Sequence, residues 1–123
     1  MKSKGELEAE ISQAIIRFEK EYMGRGPLET KTYLLDDLVV VRLKNVLTPA
    51  EHKLANLEER HRGRDLIKQV RLELLERGRP LLEAVILDIL NIPVRSLHTD
   101  ISTKTGERII VFTLAERVTD HSS

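Results

Sequence analysis

Apolar residues recur at two different periods along this chain, and the change of period divides it into helices and strands. Leu7, Ile11, Ala14, Ile15, Phe18 and Tyr22 fall three or four apart, with Glu8, Glu10, Arg17, Glu19 and Lys20 between them. Such spacing lines one face of a helix with apolar side chains. Ser3-Lys4-Gly5-Glu6 supplies a capping box and Gly24 a terminator, so the pattern predicts a helix over residues 5–23. Pro27 further disfavours helical geometry at Gly26. Thr32–Leu35 and Leu38–Leu43 then read as strands joined by Asp36-Asp37, whose short carboxylates tolerate turn geometry. The branched run Val39-Val40-Val41 favours extended backbone.

Thr48-Pro49-Ala50-Glu51 opens a second helix: Thr48 caps, Pro49 takes the first helical position and Glu51 completes the box. Leu54 and Leu57 give it a short apolar stripe, and Gly63 is its expected end. A longer helical pattern follows, carrying Leu66, Ile67, Val70, Leu74 and Leu75, then Leu81, Leu82, Val85, Ile86, Ile89 and Leu90. Gly78 and Pro80 interrupt it, which predicts one bent helix, with two separate helices as the alternative.

The period falls to two in the last third. Val94–Ser102 and Glu107–Leu114 flank Thr103-Lys104-Thr105-Gly106 as a hairpin. Leu97, Thr99 and Ile101 share one face of its first strand, and Ser96, His98, Asp100 and Ser102 the other. In the second, Ile110, Phe112 and Leu114 alternate with Ile109, Val111 and Thr113. Two apolar faces predict an interior strand or an oligomeric cover. Residues 115–123 are polar and expected to fray. The order α-β-β-α-α-β-β predicts an α+β fold: a single domain over residues 1–123, with a mostly antiparallel four-stranded sheet packed against helices. One layer of helices leaves a sheet face uncovered, which favours a homodimer or other homo-oligomer, or a membrane-protein partner.

Composition narrows the chemistry. Of 123 residues, 20 are basic and 20 acidic, so no net charge draws the chain to nucleic acid or anionic lipid. The absence of cysteine excludes disulfides, thiolate nucleophiles and cysteine-held metals. The opening MKSKGELEAE has no apolar signal region, and no apolar run approaches the roughly 20 residues of a membrane span. A cytoplasmic protein is expected, reaching the membrane through a protein partner rather than by direct insertion.

Four places could carry function. Asp36 and Asp37 point to opposite faces if extended, a poor arrangement for sharing a proton or a metal, and serve more simply as a turn. His98 and Asp100, two apart on a strand, share a face and could bind a partner or a metal; no activated nucleophile accompanies them. Gly24-Arg25-Gly26-Pro27 lacks the spacing and lysine–hydroxyl pair of a phosphate-binding loop, leaving Arg25 as a contact for an acidic partner. Arg60, Arg62, Arg64, Lys68 and Arg71, extended by Arg77 and Arg79, concentrate basic charge. Interspersed Glu58, Glu59, Asp65, Glu73 and Glu76, with only two Phe and two Tyr in the chain, weaken a nucleic-acid reading.

Three stretches are familiar together: GRGPLETKTYLLDDLVVVRLKNVLTPAE, GRDLIKQVRLELLERGRPLLEAV and VRSLHTDISTKTGERIIVFTL. They resemble the MpsC-like family, named for the soluble C component of a Na+-translocating, membrane-potential-generating system, over about residues 6–115. The resemblance implies association with membrane components of ion or bicarbonate uptake, as an accessory or regulatory subunit, and transfers no catalytic residue. A glycine turn familiar before the third stretch is replaced here by Asn91-Ile92-Pro93, which predicts an altered turn. The preferred reading is an accessory interaction protein without cofactor or resident metal, contacting partners through Arg25, Asp36, Asp37, Arg64, Arg79, His98 and Asp100. The alternatives are a small enzyme or metal-binding protein gathering Asp36, Asp37, His98 and Asp100, and a nucleic-acid binder using residues 60–79.

Overall fold

The computed structural model describes residues 2–56 and 62–118. Helix α1 (Lys4–Met23) starts where Ser3 Oγ accepts from the Glu6 amide and the Glu6 carboxylate accepts from the Ser3 amide, so two orphan donors are satisfied at once. Gly24, at φ 79°, ends it. Strands β1 (Glu29–Leu35) and β2 (Leu38–Lys44) follow as an antiparallel hairpin whose two-residue turn is Asp36-Asp37. Asp36 takes φ 60°, a conformation that aspartate tolerates better than most residues.

Helix α2 (Pro49–Ala55) has the predicted Thr48/Glu51 capping box. It ends at Ala55, however, and not at Gly63. Gly63 lies inside α3 (Arg62–Leu90), where a Cβ would stand 2.0 Å from the carbonyl oxygen of Leu54. The glycine is there for close helix–helix approach rather than termination. Leu57, assigned to the α2 stripe from the sequence, lies outside the described residues. Helix α3 runs as one element through Gly78 and Pro80. Pro80 is exposed, and Gly78 lets the Phe18 ring of α1 lie against the helix backbone: a Cβ there would meet Phe18 Cε2 at 2.3 Å. Asn91, at φ 58°, supplies the left-handed residue after α3.

Strands β3 (Val94–Ile101) and β4 (Arg108–Leu114) form the second hairpin, and the sheet order is β1-β2-β4-β3 with all neighbours antiparallel. A register shift between Val94 and Ser96 leaves Arg95 as a bulge. The inner face carries Leu34, Val39, Val41, Leu43, Ile101, Ile110, Phe112 and Leu114, all buried with Ile11, Ile15 and Phe18 of α1 and Ile67, Leu75, Leu82 and Ile86 of α3. β4 is thus interior, as its two apolar faces predict. The expected fraying does not extend to Ala115–Val118. The Leu114 and Val118 amides donate to the Asp37 and Asp36 carbonyls, and Arg117 pairs with the Asp36 carboxylate.

Candidate functional site

The residues singled out from the sequence are scattered over this scaffold. Arg25 Nη1 donates to the Leu47 carbonyl at 2.6 Å, tying the α1–β1 loop to the segment before α2. Asp36 and Asp37 occupy the hairpin tip. Arg79 pairs along its own helix with Glu76 at 3.7 Å and Glu83 at 3.5 Å. His98 and Asp100 share the outer face of β3, as alternation requires, without bonding to each other. His98 Nε2 lies 3.2 Å from Ser96 Oγ, and Asp100 lies 3.4 Å from Lys68 Nζ. Arg64 and Asp100 meet across an open cleft of about 520 Å³, with Lys68, Thr103, Lys104 and Glu107 on its walls.

Two sequence expectations need correction. From the row of Leu38 to that of Asp100 is four residues along the strands, about 13 Å, so Asp36 and Asp37 do not join His98 and Asp100 around one ion. Among the described residues, no three His, Asp or Glu side chains come together as metal ligands. Arg71, counted with the surface basic patch, is interior at 2% exposure. Arg60, in the same group, falls outside the described residues.

Arg71 is the centre of a charge cluster that ties the three helices to one another. Its Nε and Nη2 donate to the two carboxylate oxygens of Glu51 at 3.0 and 2.6 Å, and Nη2 also reaches the Val46 carbonyl at 2.9 Å. Glu51 Oε1 meanwhile accepts from the Thr48 amide, so one carboxylate both caps α2 and clamps α3. Arg71 Nη1 stands 3.7 Å from Glu19, which is wholly buried. Arg108, at the start of β4 and 2% exposed, completes the set of two arginines and two glutamates.

The environment pulls these groups in opposite directions. Burial pushes the Glu51 carboxyl up, but the Arg71 and Thr48 hydrogen bonds outweigh it and hold the group below its ordinary value. For Glu19 burial wins over the attraction of Arg108 and Arg71, and the carboxyl is raised. Burial likewise lowers Arg108, against the pull of Glu19. A depressed folded-state pKa gives Glu51 a stabilising effect present above the unfolded carboxyl value and lost as pH falls through the folded one. Raised Glu19 does the reverse: its effect is complete in acid and lost as pH rises through its folded value. Glu19→Gln should therefore flatten the decline in stability above the ordinary carboxyl value of 4.5 while leaving the acid limb in place. Urea unfolding across a pH series checks this; parallel curves for variant and parent would show that Glu19 does not titrate there.

Composition and motif matching passed over this cluster, although a signal existed. Glu19 continues the spacing of Ile11 and Ile15, Arg71 sits four residues from both Ile67 and Leu75, and Arg108 alternates with Ile110 and Phe112. All three occupy positions that the amphipathic pattern assigns to the interior.

The uncovered face of the sheet is the other notable surface. Tyr33, Val40, Val111 and His98 cross it in one row, and Lys31, Arg42, Ile109 and Asp100 in the next. Leu35 and Leu38 extend the apolar part toward the hairpin tip, and Tyr33 and Leu35 are 39% and 52% exposed.

Comparison with known proteins adds kinship. A family model described as Na+-translocating membrane potential-generating system (MpsC) matches residues 3–116. The Bacillus subtilis (strain 168) protein "Uncharacterized protein YbcI" is 48% identical over 113 residues, spanning 92% of this chain and 89% of that protein. No solved structure matches.

Proposed function

This chain belongs to the MpsC family of the Na+-translocating membrane potential-generating system, and on that premise we propose that it is an accessory component acting by contact with the system's membrane proteins. No helix among the described residues is long and apolar enough to cross a membrane, so the proposed link is through protein contact. The observation that carries the proposal is the outer face of the sheet. Helices α1 and α3 lie against the other face and α2 packs on α3, leaving Tyr33, Leu35, Leu38, Val40, Ile109 and Val111 as an apolar surface bordered by Lys31, Arg42, His98 and Asp100. An apolar centre with a charged rim is the usual make-up of a protein-binding surface. The proposed occupant is a water-exposed region of a membrane component. Of the residues first singled out, His98 and Asp100 belong to this surface and Arg64 stands beside it.

Val40→Lys/Val111→Lys places two charges at the centre without touching the core. Affinity purification from native membranes in mild detergent should recover membrane components with the parent chain and about tenfold less with the double variant. Equal recovery would show that the sheet face is not the contact for membrane components.

A second reading rests on the row order. If two copies face each other across a two-fold axis parallel to the strands, Lys31 of one lies opposite Asp100 of the other, and Val40 opposite Val111. Sedimentation separates the readings. A parent dimer that becomes monomeric in the double variant, with membrane recovery intact, assigns the face to self-association.

A further inference from the structure

Helix α3 carries five of the nine large apolar side chains that stand exposed among the described residues. Its buried arc, with Ile67, Arg71, Leu75, Leu82 and Ile86, faces the core. On one side of that arc Lys68, Gln69 and Leu72 turn toward β3. The other flank bears a row, Leu66, Val70, Leu74, Arg77, Leu81 and Val85, at successive intervals of four, four, three, four and four. Leu66, Val70 and Leu81 are each about half exposed, and Leu74 and Val85 are half-buried. At roughly 1.5 Å per residue the row is about 28 Å long. An apolar row of that length facing water marks a contact surface.

Two properties of the row identify what covers it. Its intervals read the same in both directions, so a second copy running antiparallel about a two-fold axis between Leu74 and Arg77 matches it position by position. Leu66 then lies opposite Val85, Val70 opposite Leu81, and Leu74 opposite Arg77. The charges beside the row obey the same symmetry. Arg62 precedes it by one turn, Asp88 follows it by one turn, and Glu73 and Arg77 stand at its middle, all exposed. Glu76, Arg79 and Glu83 pair along the helix, whereas these four have no ionic partner among the described residues. The antiparallel arrangement brings Arg62 to Asp88 and Glu73 to Arg77 of the other copy. A parallel arrangement would set each of the four against its own like charge. The apolar contacts supply the attraction and the charges choose the direction.

We infer that this flank of α3 is the docking surface for a second copy of the chain, the two α3 helices packing antiparallel around Leu74 and Arg77. Helix α3 lies on the inner side of the sheet, so the pairing leaves the outer face open. It stands whether or not that face binds a membrane component.

The chain has no cysteine, so introduced ones report the pairing without interference. Val70 and Leu81 of one helix stand about 16 Å apart, too far for a disulfide within a chain. In the antiparallel pair each meets the other across the axis. Mild oxidation of Val70→Cys/Leu81→Cys should therefore give a covalent dimer on a non-reducing gel, and neither single substitution should. Sedimentation equilibrium of the parent chain should show a dimer without oxidant. Val70→Glu/Leu81→Glu should raise its dissociation constant about a hundredfold with the circular dichroism unchanged, since both positions are half exposed. A parent that stays monomeric up to about 0.1 mM would overturn the assignment. So would a double cysteine variant that forms no covalent dimer, one formed by Val70→Cys alone, or an undiminished dimer in the glutamate variant. A parent dimer that dissociates in Val40→Lys/Val111→Lys instead would assign self-association to the sheet and overturn it too.

Discussion

Arg71→Ala should unfold with about 4 kcal/mol less free energy than the parent chain, the middle of the range for breaking a buried ion pair from one side. The substitution leaves Glu51 without its clamp, Glu19 without its nearest cation and the Val46 carbonyl without a donor. Urea unfolding followed by circular dichroism at neutral pH measures the loss. The companion variant Arg71→Met/Glu51→Gln removes both charges while glutamine keeps the capping role toward Thr48. It should recover at least half of the loss, because the cost lies mainly in stranding a charge rather than in losing the pair. A loss below about 1 kcal/mol for Arg71→Ala would mean that the pair behaves as a solvated surface contact.

Gly63→Ala should cost about 3 kcal/mol, the high end for overpacking. The direction is diagnostic, because alanine in an ordinary helix interior gains up to about 1 kcal/mol over glycine. Here the new methyl would approach the Leu54 carbonyl oxygen at 2.0 Å, and a backbone atom cannot rotate aside as a side-chain tip can. Helices α2 and α3 must separate, which also pulls on the Glu51–Arg71 clamp. A neutral or stabilised variant would show that α2 is not seated on α3 in this way.

Gly63 also marks where sequence and structure part. Local chemistry was legible: the Ser3/Glu6 and Thr48/Glu51 boxes, the Gly24 terminator, the Asp36-Asp37 turn and the alternation of β3 and β4 all depend on residues within a few positions of each other. A glycine after a polar stretch has the same local signature whether it ends one helix or makes room for another. Only the position of Leu54 in space separates the two, and local pattern alone extends α2 past its end at Ala55.

The charge cluster was obscured for a related reason. Counting basic residues by proximity in sequence groups Arg64, Lys68 and Arg71, whereas helical rotation sends Arg71 to the side of Ile67 and Leu75. Strand order could not be read either: Leu38–Leu43 and Ile109–Leu114 are both apolar enough for the centre, where they lie, but no local signal pairs one with the other. The two hairpins could have joined through other edges. Among the predicted contact residues, His98 and Asp100 were placed correctly on one face because period-two alternation is strict. Their distance from Asp36 and Asp37 depended on the unread topology.

The β2–β4 pairing has a consequence for how the chain acquires its shape during synthesis. Each outer strand zips to its neighbour through a short turn, but the central seam joins Leu38–Leu43 to Arg108–Thr113, with α2, α3 and β3 all made in between. A ribosome that has not yet delivered β4 holds a nascent chain in which Val39 and Val41 have lost one flank and the β2 edge can pair with another molecule. Bringing in β4 closes that edge and buries the Arg108 guanidinium in the same step, so the last strand to emerge both completes the sheet and delivers its least easily solvated charge.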